Sequence, residues 1–209
     1  MKKEADRIAI RFLFLFLFQI PVKPEGRFKA ALAVGLYVCT VRVVGTQQPL
    51  GLLGQHGAAP VLEREGIRFS FTGFTEHTNG IPLPQGQEEK ITYTDQPERM
   101  QQQVKETSQI ADVAVVSVHW GQENSTTPTP AQRELAQQLA DWGADIIIGT
   151  HPHVLQPVEQ LTAADGRQVW VLYSLGNFVS AQADRPNLVG AMAEIAVEKD
   201  RSEERRVGK

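Results

Sequence analysis

Between Asp112 and Thr150 the chain spells strand, helix, strand, as "DVAVVSVH", "TPAQRELAQQLADWG" and "DIIIGT". The apolar runs at 113–118 and 146–148 are continuous rather than alternating, the pattern of strands buried on both faces. The helix between them is marked at both ends. Thr129 stands at the N-cap, Pro130 at the first helical position, and Gln132 completes a capping box. Ala131, Leu135, Leu139 and Trp142 form its apolar stripe, and Gly143 stops it. A strand–helix–strand unit of this kind places its strands parallel in one sheet, with the helix covering a face.

The flanking segments extend the pattern. In "GIRFSFTGF" (66–74), Ile67, Phe69 and Phe71 alternate with Arg68 and Ser70, which predicts a strand with one face buried. The Gly- and Pro-rich "NGIPLPQGQ" is a loop. Pro97 then opens a helix with Met100, Val104, Ser108 and Ala111 along one face. "ADGR" (164–167) is a turn between "VLQPVEQL" and "QVWVLYSL", predicting a hairpin, and 189–198 reads as a last strand. The expected class is α/β, with a largely parallel sheet and covering helices.

Composition narrows the chemistry. The formal net charge of -3 provides no electrostatic case for a nucleic-acid partner. Cys39 is the single cysteine, so an internal disulfide and Cys-based zinc sites are excluded. Any metal must be held by His, Asp, Glu or Asn.

The two ends depart from this order. Residues 1–56 are left unassigned and read as non-native or mistranslated sequence. They begin with a basic stretch and a Phe/Leu run at 12–18, which fits either a targeting segment or an apolar strand. Arg11 interrupts that run, and Pro21 closes it well short of the ~20 residues a membrane span needs. Residues 201–209, "RSEERRVGK", follow no apolar period and resemble a translated sequencing adapter, an artefactual tail.

Ligands of open α/β sheets bind beyond the carboxyl ends of the strands. His119 ends one predicted strand, and His151 and His153 follow the next. In an extended His-x-His the two side chains share one side of the chain. Pro152 fixes its own φ and biases His151 toward extended geometry. Gly149 permits a close backbone approach or a sharp turn. Imidazole nitrogens at fixed positions suit Zn, Fe, Ni or Cu, and three ligands leave a position open for catalysis. A histidine at a strand end is otherwise a hydrogen-bonded rim residue.

The blocks "VAVVSVHWGQE", "AQQLADWGADIIIGTHPHVLQPVE" and "VLYSLGNFV", preceded by "APVLEREGIRFSFTGFTEHTNGIP", resemble the CapA family of bacterial capsule-synthesis proteins. That family is associated with poly-γ-glutamate capsules and the calcineurin-like metallophosphatases. The resemblance covers about 57–198, and residues 57–200 are taken as the C-terminal part of such a domain. It implies half of an α/β/β/α sandwich with divalent metals (Zn, Mn or Fe), two in the intact family. His119, His151 and His153 match its metal ligands. Glu123 matches a motif position, as an acid/base or a group orienting a ligand, and Asn177 one that shapes the substrate-binding floor. The implied partners are the capsule machinery and an anionic polymer or phosphoryl-type substrate, at the cell envelope.

The family's N-terminal half brings a Gly-Asp, an Asn-x-Glu and an Asn-Asn-His-x-x-Asp segment. None occurs in residues 1–56. The chain is therefore expected to be a fragment with an incomplete ligand set, three histidines without an acidic residue to balance a cation, and negligible phosphoesterase activity. The alternative is a non-catalytic capsule assembly or export factor at the envelope.

Overall fold

The computed structural model describes residues 60–197, apart from 65, 81–82, 84, 87–89 and 179. It also describes two short strands, β1 (Leu13–Leu15) and β2 (Thr40–Arg42), which pair antiparallel. The 201–209 tail and the rest of 1–56 lie outside the described residues.

The main body is one six-stranded sheet. Its strands are β3 (Val61–Arg64), β4 (Ile67–Thr75), β5 (Val113–His119), β6 (Ile146–Thr150), β7 (Val158–Thr162) and β8 (Gln168–Leu172), in spatial order β3-β4-β5-β6-β8-β7. The central strands β4, β5, β6 and β8 run parallel. The edge strands β3 and β7 are antiparallel, β7 through the hairpin expected at 164–167.

Helices α1 (Pro97–Ile110) and α2 (Pro130–Trp142) pack on one face. Met100, Val104, Ala136, Leu139 and Ala140 meet Phe74, Val116, Val118, Ile147, Val169 and Val171 there. The other face carries Ile67, Phe69, Phe71, Val113, Val115, Ile146, Ile148 and Leu172. This is an α/β fold whose main body is one mixed sheet; besides it, the described residues hold only the two-stranded β1–β2 pair.

Several expectations need correction. β4 is buried on both faces: Ser70 is fully buried and Phe74 joins the helix-side core, because β4 lies inside the sheet between β3 and β5. The inner face of α1 is Met100, Val104 and Thr107, with Ser108 and Ala111 only half-buried. On α2 the stripe is rotated toward Ala136, Leu139 and Ala140, and Ala131 is exposed. Gln132, expected to complete the capping box, does so and is buried, its side chain turned back to close the cap.

The segment 189–198 forms no strand within its described residues. Gly190 makes an isolated bridge to Gly176, and Ala191 N–H donates to Leu175 O at 2.8 Å. The alternation nonetheless has a use: Ala193, Ile195 and Val197 pack against the second apolar face. Side-chain period and ladder pairing are separate requirements, and this segment meets only the first.

Candidate functional site

The carboxyl ends of β4, β5 and β6 lie side by side. Thr75 pairs with His119, and His119 with Thr150, so the last residues of three strands form one row. His151 follows Thr150 directly, and His77 stands two residues beyond Thr75. The ring centroids of His119 and His151 are 4.4 Å apart, and those of His151 and His153 6.1 Å. His77 lies 4.9 Å from His119 and 4.6 Å from His151.

The backbone that delivers the His-x-His pair is not extended. His151 has φ 97° and His153 φ 61°, in the left-handed half of the map. The expected strand-like presentation is thereby corrected. Pro152 still restricts the residue before it, yet His151 leaves β6 through a sharp reversal instead of continuing it. Side chains seldom adopt such φ values, at a cost of about 1–3 kcal/mol each. Neighbouring contacts hold the reversal: Asn124 N–H donates to Pro152 O at 2.8 Å, and Trp120 N–H to Thr150 O at 3.1 Å.

Gly149 serves a close approach. Trp120 Nε1 donates to Tyr173 O at 3.1 Å directly across it, and a Cβ at 149 would collide with both groups. The buried indole, stacked on Tyr173, thus fixes the residue next to His119 to the segment just after β8, through a space only glycine leaves.

Hydrogen bonds set which nitrogen of two rings is basic. Thr75 Oγ1 has one hydrogen, which it donates to His77 O at 2.6 Å. Its 3.2 Å contact with His119 Nδ1 must therefore run from Nδ1–H to Oγ1, leaving the lone pair on Nε2. Asn177 acts likewise on His153. Its Nδ2 donates to Gln182 Oε1 at 2.8 Å and Asn187 O at 3.0 Å, which orients the amide. Asn177 Oδ1 then accepts from His153 Nδ1–H at 2.9 Å, leaving Nε2 basic. That nitrogen faces Glu123 Oε1 at 3.9 Å. Asn187 Nδ2 donates to Asn124 Oδ1 at 2.7 Å, tying this network to the loop carrying Glu123.

Electrostatics favour the neutral form of His119 and His151. Burial, followed by the nearby rings of His151, His77 and His153, pushes His119 down to about 3. Burial and His77 also lower His151, opposed by the carboxylate of Glu123. Neutral imidazole is the form that binds metals.

Among the described residues, two groups of three donors are close enough to share an ion: His77, His119 and His151; and Glu123, His151 and His153. Within each, one donor atom per residue lies within 4.8 Å of the others. The buried Nδ1 of His151, a residue only 9% exposed, has no hydrogen-bond partner among the described residues. An orphaned buried nitrogen costs about 1–3 kcal/mol, which a bound cation would recover. The donors present therefore fit a divalent ion. The histidines also do not stand without a carboxylate, as expected from sequence: Glu123, 53% exposed, reaches the cluster from the rim.

All five sequence-selected residues, His119, Glu123, His151, His153 and Asn177, come together here. Sequence reasoning missed His77, and the signal was available. It comes two residues after a parallel strand on the same edge, as the criterion that singled out His151 and His153 requires. The supports Gln182, Asn187 and Thr75 were not legible, since each acts through distant partners.

The sequence profile described as "Bacterial capsule synthesis protein PGA_cap" matches residues 44–182. A Bacillus subtilis (strain 168) protein named "PGA biosynthesis protein CapA" is 47% identical over 79 residues, 38% of this chain and 20% of that protein. "Capsule biosynthesis protein CapA" of Bacillus anthracis is 49% identical over 72 residues, 34% of this chain and 16% of its own length. The chain thus spans about a fifth of the length of the curated relatives it matches. The crystal structure of a hypothetical protein from Thermus thermophilus aligns at 15% identity and a TM-score of 0.39, over 68% of this chain and 51% of that one.

Proposed function

Since the chain belongs to the bacterial capsule synthesis protein PGA_cap family, we propose that it carries part of a divalent-metal hydrolase site serving poly-γ-glutamate capsule biosynthesis at the cell envelope. The observation that carries this reading is the meeting of His119, His151 and His153 at adjoining strand ends, with Glu123 beside them.

His119 and His153 each offer Nε2, because Thr75 and Asn177 hold their Nδ1 protons. A bound divalent ion would lower the pKa of water and absorb charge on a phosphoryl-type or similar oxyanion. Glu123 is the exposed group on this rim, placed to hold or take a proton at Oε1. Asn177 is a positioning residue: its carbonyl fixes the ring of His153. The substrate class is an anionic polymer or phosphoryl ester, and the partners are the capsule synthesis machinery. No described helix is long and apolar enough to cross a membrane.

The test is metal content after chelation and reloading with Zn2+. The hydrolase reading expects stoichiometric metal in the wild-type chain and its loss in His151→Ala. No uptake at any concentration would defeat it and leave the non-catalytic assembly role.

A further inference from the structure

We propose that His77 is itself a metal ligand, so that the ion bound by this chain sits in a three-imidazole site of His77, His119 and His151. The inference rests on the metal reading above and specifies the site within it.

Several contacts hold His77 in place. Glu76 N–H donates to His119 O at 2.8 Å, docking the residue after β4 onto the end of β5. Glu76 Oε2 accepts from Gly121 N–H at 2.7 Å, and Thr75 Oγ1 donates to His77 O at 2.6 Å. The ring therefore stands against His119 and His151 on a braced backbone, edge-on to both at 82° and 84°. Edge-to-face ring packing is favourable in itself, at about 0.5–1.5 kcal/mol. It leaves the buried Nδ1 of His151 without a hydrogen-bond partner among the described residues. The Asn79 amide reaches His77 Nδ1 at 3.4 Å, a long contact. Metal on either ring nitrogen would displace it, since Nδ1 would then be ligated or protonated.

His151 belongs to both donor groups, and one lone pair serves one ion. The choice between groups has chemical consequences. Glu123 and His153 would supply a negative charge, whereas the imidazole trio supplies none. An ion held by three neutral nitrogens keeps its full charge and attracts an anionic oxygen to its open position. The donor set suits a first-row transition ion, Zn2+ or Co2+, rather than Mg2+ or Ca2+, which take oxygen ligands.

The experiment titrates Zn2+ into the wild-type chain, His77→Gln and His153→Ala against a chromophoric competitor. Circular dichroism checks each fold, and the visible spectrum of bound Co2+ is recorded in parallel. His77→Gln is expected to weaken Zn2+ binding by at least about tenfold, the lower end for losing even an outer-sphere partner, and to change the Co2+ spectrum. His153→Ala should weaken it less. In 15N-labelled wild-type protein, which needs no substitution, Zn2+ should shift a His77 ring nitrogen. Wild-type affinity in folded His77→Gln, with loss in His153→Ala and no His77 shift, would overturn this proposal while sparing the metal reading. No Zn2+ binding by the wild type would overturn both.

Discussion

His151 concentrates the constraints on this molecule. Its φ of 97°, its buried and orphaned Nδ1, and its place in both donor groups all concern one side chain. Gly149, two residues earlier, makes that placement possible. Gly149→Ala would force a Cβ into Tyr173 O and the Trp120 indole. Overpacking against a backbone carbonyl should cost about 1–3 kcal/mol, read as a lower urea midpoint at unchanged slope. Asn177→Ala should act differently. It removes the acceptor that holds His153 Nδ1–H, so Zn2+ affinity should fall no further than in His153→Ala. The accompanying sign is a His153 ring no longer fixed in one tautomer by 15N NMR; unchanged tautomer and affinity would remove Asn177 from the site.

Among the elements, α2 is the one most completely specified by local chemistry. Thr129 Oγ1 accepts from Gln132 N–H at 3.2 Å, and Gln132 Oε1 accepts from Thr129 N–H at 2.9 Å. Gly143, at φ 122°, closes the other end by donating to Ala140 O at 3.2 Å. Thr129→Ala should therefore cost about 1 kcal/mol, a drop of roughly 2–4 °C in Tm for a chain of this size. Gln132→Ala should cost more in the same denaturation series. It also takes the 3.0 Å donor from Gln156 Oε1 inside the protein, where loss of a partner is expensive. Equal costs would mean that the buried pair contributes nothing beyond the cap. Segment 189–198 shows the converse: its period-two pattern finds an apolar surface but no ladder partner among the described residues.

Across the whole molecule, the sheet order brings β4, β5 and β6 together so that one edge carries His77, His119 and His151. Residues 1–56 contain none of the Gly-Asp, Asn-x-Glu and Asn-Asn-His-x-x-Asp segments that the resemblance led us to expect. The Zn2+-loaded 209-residue chain is accordingly expected to hydrolyse a nitrophenyl phosphate negligibly while still binding metal. Appreciable metal-dependent turnover would show that the described residues suffice for catalysis.

The α/β class, the cap and stop of α2, the hairpin at 164–167, and the strand-end placement of His119, His151 and His153 could all be read from the order of residues. Each is a local matter, of hydrophobic period, turn chemistry or capping, that neighbouring residues settle among themselves. The burial of Ser70 and Gln132, the reversed backbone of the His-x-His pair, the tautomers imposed by Thr75 and Asn177, and the arrival of His77 emerged only with the folded chain. Those features depend on which distant strands become neighbours. A side chain's proton, its burial and its ring partners are fixed by groups far away in the chain, once the sheet has brought them within reach.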